Sequence, residues 1–285
     1  MIYILKIANW KPLSFFNQHL LIACCITTFI AFLLLNNKAH ANTNAVIKLP
    51  ESQLILSVKE DKALVSNNTT NNNWLFLHPY TAHYQVSYNG SPVGKATRKL
   101  TIADKQWQLE TKAKIKKYLL TAKSYETTQF HIKDNQLMSD YFVTRSKVTF
   151  QSEKVVKQFF DWEKKTDSGF KGKKKWHIPL DNQVYDRASH IVKFRSDLLS
   201  NKTAFNYDVS YRGKIKTYQY TQEKEEKFKT KMGELNTIKY IYKKSEKGKF
   251  ILWLCPELNY IPVKIAQYEK DGSVISFLLE SLEYN

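Results

Sequence analysis

WQLETKAKIKKYLLTAKSYETTQFHIKDNQLMSDYFVTR, residues 107–145, decides the fold class. Trp107, Leu109, Thr111, Ala113 and Ile115 stand at every second position, with Gln, Glu and Lys between them. Strand side chains alternate between two faces, so this spacing buries one set and wets the other. A second run, 122–132, is turned by Asp134-Asn135 into a third, 137–145. Asp and Asn tolerate the left-handed backbone that tight turns demand. Three consecutive strands on short turns predict an antiparallel meander.

The pattern extends both ways. Upstream, Tyr84, Val86 and Tyr88 share a face and Asn89-Gly90 signals a hairpin. Downstream, Val156, Phe160 and Trp162 share a face before a predicted turn at Asp167-Ser168-Gly169. Alternation returns at Tyr207, Val209 and Tyr211, then over 215–228, at Ile238, Tyr240 and Tyr242, and over 250–255, 261–268 and 274–282. The expectation is a mainly β domain, residues 77–285: a meander of about eleven or twelve strands, curled into a barrel, half-barrel or sandwich.

One segment departs from this rhythm. Between 184 and about 199, Val184, Ala188, Ile191, Val192, Leu198 and Leu199 follow helical spacing, with Asp186, His190, Lys193 and Asp197 opposite. This predicts an amphipathic helix packed across the sheet, capped by Asp181 or Asn182. Strands 250–255 and 274–279 are apolar on both faces. Either the helix covers their second face or one face lines an apolar cavity.

The N-terminus reads as an export signal. Lys6 and Lys11 precede an apolar core at residues 20–35, and Ala39-His40-Ala41 offers small residues for cleavage after Ala41. Two alternatives stand beside it. The core, ~16 residues, is a little short of a spanning helix, yet an uncleaved inner-membrane anchor would present the same domain outside. Leu21-Ile22-Ala23-Cys24 resembles a lipobox, although Cys24 lies near the start of the apolar core rather than its end. Residues 42–76, with Ser66-Asn67-Asn68-Thr69-Thr70-Asn71-Asn72-Asn73, read as a low-complexity linker.

The 285-residue chain carries a net charge of +18. Residues 1–41 hold three lysines and no acid, which leaves +15 on an exported chain. Such a balance ordinarily suggests nucleic acid. Export redirects it toward phospholipid headgroups, other envelope anions or a solvated basic surface, and no nucleic-acid partner is expected. After cleavage Cys255 is the sole cysteine, so no internal disulfide can form, and it reads as a small core residue.

Chemistry-bearing motifs are sparse. The histidines show no metal spacing, and neither a phosphate loop nor a Gly-x-Ser-x-Gly elbow occurs. No cofactor, metal or catalytic residue is expected. Asp186, Ser189 and His190 invite a triad, but adjacent helix residues point about 100° apart. A structural role suits them better, with Asp186 paired to a nearby Lys or Arg. Lys171, Lys173, Lys174, Lys175 and Trp176 form a basic hairpin with an aromatic that could meet an anionic membrane.

Several of these stretches resemble one family. Pro79-Tyr80-Thr81-Ala82 followed by Val93-Gly94-Lys95-Ala96-Thr97-Arg98 is similar to the opening hairpin of the DUF3108 family of exported bacterial proteins. Asp186-x-x-Ser189 with Arg195 resembles its mid-domain pattern. Gly213-Lys214-Ile215-Lys216-Thr217-Tyr218 and residues 252–263 resemble its later signatures, over about residues 79–284 in all. The resemblance implies an envelope-located β-rich domain and brings no catalytic residue.

These readings point to a periplasmic, non-enzymatic binding or carrier module for an apolar, acyl or anionic envelope ligand. Asp186, Ser189, Arg195 and Trp253 are the candidate pocket residues. A structural or assembly factor working through an envelope protein partner, and a hydrolase with an unrecognised site, are the alternatives.

Overall fold

A computed structural model describes residues 74–245 and 248–285. The expected export signal, the expected cleavage after Ala41 and most of the expected linker lie outside the described residues. Trp74 and Leu77 are buried, and the Trp74 indole donates to the Asn135 carbonyl at 3.2 Å. The domain therefore takes in residues 74–76, which composition alone grouped with the linker.

The meander is real and longer than expected, with fifteen strands in one sheet among the described residues. In chain order they are β1 (Tyr80–Tyr88), β2 (Ser91–Ala103), β3 (Gln106–Lys117), β4 (Leu120–Lys133), β5 (Gln136–Val148), β6 (Lys154–Asp161), β7 (Thr166–Lys171) and β8 (Lys174–Pro179). After them come β9 (Val184–Tyr185), the helix α1 (Ser189–Leu199), β10 (Phe205–Ser210), β11 (Ile215–Thr230), β12 (Gly233–Lys243), β13 (Lys249–Cys255), β14 (Ile261–Tyr268) and β15 (Val274–Tyr284). Each strand pairs antiparallel with its sequence neighbour, except that β8 and β9 do not pair and that β9 and β10, separated by α1, pair in parallel. β1 pairs with β15, so the first and last described strands meet mid-sheet and β8 and β9 form the edges.

Three sequence readings change here. Asp167-Ser168-Gly169 lies within β7 rather than in a turn. Gly169 is there because a Cβ would stand 2.3 Å from the Trp176 ring and 2.2 Å from the Lys157 carbonyl oxygen. The helix starts at Ser189, because Val184 and Tyr185 are spent pairing with β10. It is also buried almost all round, His190 and Asp197 included. It lies inside the curled sheet rather than across it with a wet face.

The edges of the sheet are joined by side chains, not by a backbone ladder. Asp167 on β7 is fully buried and accepts from Gln158 at 2.9 Å, from the Trp176 indole at 3.0 Å and from the Ser210 hydroxyl at the end of β10. Burial pushes its carboxyl above the usual range, against the pull of those donors. Trp176 also rests on Gly213, where a Cβ would fall 2.6 Å from it.

α1 fills one end of the curl. Phe194 meets Phe205, Tyr207, Tyr220 and Tyr240 with ring centroids 4.7 to 5.7 Å apart. Arg195 Nε donates to the Asn259 carbonyl at 2.9 Å, in the turn that follows the short helix Pro256–Leu258.

Candidate functional site

The Asp186-x-x-Ser189 pattern is a helix lock. The Asp186 carboxylate accepts from the Ala188 and Ser189 amides at 2.7 and 3.0 Å, while Ser189 Oγ accepts from the Asp186 amide at 3.1 Å. This is the reciprocal geometry of a capping box, with Ser in the returning position. Ser189 Oγ is also 2.7 Å from Ser139 Oγ on β5, and Thr128 on β4 donates to the second Asp186 oxygen. Asp186 is the capping residue where Asp181 or Asn182 was expected, and its fixed contacts are hydroxyls and amides rather than a cation. Burial raises its pKa, opposed by those donors.

His190 completes no triad. Its Nε2 is 2.9 Å from the Tyr220 hydroxyl and its Nδ1 is 3.3 Å from the Asp186 carbonyl oxygen. Burial depresses its pKa to about 3, which keeps the ring neutral. Among the described residues no group of three or more His, Cys, Asp or Glu gathers to hold a metal.

Arg195 is equally structural, with its guanidinium 5.2 Å over Phe76 and 5.8 Å over Tyr80. Trp253 lies elsewhere. It points to the outer face of β13, packs with Ile251 and Ala266, and donates its indole N–H to Glu226 at 2.8 Å. The second apolar face of β13 is thus covered by the β11–β12 hairpin, which folds back over it. Phe228 meets Trp253 edge-on at 5.6 Å, and Lys231 at the hairpin tip pairs with Glu280 on β15 at 2.5 Å. The candidate pocket set is therefore not one site: Asp186 and Ser189 lock the helix start, Arg195 the far end, and Trp253 the outside.

The inner face does enclose a cavity of about 100 Å³, with a partly open mouth. Phe250, Ile265, Ile275 and Phe277 form one wall, and Ala188, just before α1, and Ile191 of α1 form the floor. Its opposite wall follows from the register. Tyr84, Ala96, Ala113 and Ser124 are direct cross-strand partners on β1 to β4, so three small side chains stand in one row. That row leaves the space. In the next row Arg98 and Glu126 flank Thr111. Arg98 is 9% exposed, and its Nε has no hydrogen-bond partner. Arg187 lines the cavity as well, its guanidinium 4.6 Å over the Tyr211 ring.

Phe250, Gln267 and Ile275 lie next to the strand ends at 249, 268 and 274, so the cavity reaches toward that end of the sheet. Of the sequence-level readings, the apolar cavity facing β13 and β15 is the one that found this site. Its lining residues Arg98, Ala96 and Ala113 carried no signal of their own, because their meeting depends on register across three strands.

The basic hairpin forms as expected, with Lys173, Lys174 and Lys175 exposed and Lys171 half-buried. Trp176 is not free to face a membrane, being held across Gly169 on Asp167. Cys255 is buried in the core, its thiol donating to Glu257 at 3.1 Å, and burial raises its pKa to about 11.

An open, strongly curled antiparallel sheet around an internal helix defines a β-barrel-like protein. The chain belongs to the DUF3108 family, described as a protein of unknown function, whose model matches residues 83–279. No curated protein matches it. A solved β-barrel-like protein of the DUF1849 domain from Brucella abortus is similar in fold, at 9% identity and a TM-score of 0.50, covering 73% of this chain and 98% of that one. A candidate lipoprotein from Parabacteroides distasonis is similar at 10% identity and a TM-score of 0.29, covering 73% and 96%.

Proposed function

We propose that this domain is a non-enzymatic binding or carrier module of the cell envelope, and that its ligand is an acyl-type molecule with an anionic end. One observation carries the reading: an apolar cavity, open at one end, into whose wall a buried arginine brings an Nε with no partner. A buried guanidinium N–H left without an acceptor is costly. A carboxylate or phosphate would supply the missing partner in a strong, charge-assisted bond. The cavity resembles in size the small dry cavities that take up apolar guests. Its mouth leaves room for a chain to extend outward.

The edge strands support this over the assembly-factor reading. β9 is two residues long, and β8 carries Lys174, Lys175 and Pro179, all of which discourage strand addition. The hydrolase reading finds both His190 ring nitrogens already engaged.

Titration with a fluorescent fatty acid tests the proposal. Wild type should bind it, Ala113→Phe should fill the cavity and abolish binding, and Arg98→Gln should weaken it about tenfold. Equal binding by wild type and Ala113→Phe would reject the site.

A further inference from the structure

The strand ends at the cavity mouth carry side chains that a solvated turn does not need. Tyr118 and Leu119, between β3 and β4, are 81% and 92% exposed, and Phe150, just after β5, is 93% exposed. β4 pairs with both β3 and β5, so the two tips are neighbours. They are also fastened together: the Thr149 amide donates to the Thr121 carbonyl at 3.0 Å, and the Thr149 hydroxyl accepts from the Thr121 amide at 2.9 Å.

Tyr118 and Phe150 have φ of 52° and 65°. Gly, Asn and Asp occupy that region readily, and a bulky side chain there is unusual. The turns at the other end of these strands use Asp104-Lys105 and Asp134-Asn135 at positive φ, as turn chemistry favours. Backbone outliers of this kind concentrate where a surface has a task.

The surrounding charge is predominantly positive. Lys116, Lys147 and Lys154 are exposed beside these tips, and Lys117 lies 5.8 Å over the Tyr118 ring. The β7–β8 turn brings Lys173 to the same end of the sheet. Across residues 116–119, 147–154 and 171–175, Glu153 is the single acid.

We propose that this rim docks on an anionic phospholipid bilayer: Tyr118, Leu119 and Phe150 enter the headgroup–acyl boundary, and the lysines meet lipid phosphates. Protruding apolar groups inside a basic ring combine the two attractions that hold a peripheral protein on such a surface. The cavity mouth then faces the lipid. The surface does not depend on the cavity being occupied, so it stands or falls apart from the ligand reading.

Peptide-resolved hydrogen exchange on the full chain tests it, with phosphatidylglycerol–phosphatidylethanolamine vesicles and with phosphatidylcholine vesicles. Exchange at residues 114–122 and 146–153 should slow on the anionic vesicles, recover at high salt and stay unchanged on phosphatidylcholine. Leu119→Glu/Phe150→Glu alters only exposed positions, and should raise the lipid needed for half-maximal protection about tenfold or more. Free exchange at both tips on vesicles that carry the protein would overturn the proposal, because the chain would then be held by another segment such as residues 20–35. Protection by envelope proteins without lipid, and none by vesicles, would overturn it in favour of a protein-docking surface.

Discussion

Ser139 on β5 and Ser189 at the start of α1 lie with their hydroxyl oxygens 2.7 Å apart, both fully buried. Ser189 also closes the reciprocal pair with Asp186, and Asp186 in turn holds Thr128 on β4. Two strands and the helix are therefore bolted at one point, and that point sets the floor of the cavity.

Asp186→Ala should destabilise the domain by about 2–4 kcal/mol, because it removes a cap and strands buried donors. Asp186→Asn keeps an oxygen for the two amides and should cost about 1 kcal/mol or less. Urea midpoints of the two variants give the comparison, and equal losses would mean that the charge itself matters.

Gly169→Ala should cost more than about 2 kcal/mol, since its Cβ would meet the Lys157 carbonyl and the Trp176 ring inside contact distance. Gly172 has φ of +57° and open space around it, so Gly172→Ala should cost only about 1 kcal/mol. Thermal melts of the pair test whether the side-chain seam holds the curl.

These cases show what the sequence conveyed. Two-residue alternation gave the strands because one face is buried along most of the meander. It could not place β9, which is too short to show a period, and it took Gly169 for a turn when the glycine makes room for its cross-strand partner Trp176. The polar side of α1 looked solvated because spacing cannot distinguish water from internal partners such as Tyr220 and Tyr207. Trp253 was assigned to the pocket because β13 is apolar on both faces, and only the β11–β12 hairpin folding back decides which face is outside.

Acid should destabilise the domain through His190. The imidazole is held at about 3 in the fold against an ordinary 6.5, so between those values the unfolded chain binds the extra proton and stability falls with pH. Asp167 and Asp186 have raised values and act in the opposite direction, so the readout is a difference. The stability gap between wild type and His190→Gln should shrink by about 1.4 kcal/mol per pH unit below 6.5. A constant gap from pH 7 to pH 4 would contradict a buried neutral ring.

Trp253→Ala should cost about 3–5 kcal/mol by emptying the outer cluster with Phe228 and Ile251. Acyl-probe affinity of the folded variant should equal that of wild type. A selective loss of affinity would return Trp253 to the binding site.

The central claim is that the space between the Ala96–Ala113–Ser124 row and the Phe250–Phe277 wall holds an acyl ligand. Native mass spectrometry of the protein purified gently from the cells that produce it tests this most directly. Wild type should carry a bound species with the mass of an acyl-chain amphiphile, and Ala113→Phe should lack it. Bare protein mass in wild type, before and after incubation with fatty acid or phospholipid, would contradict it.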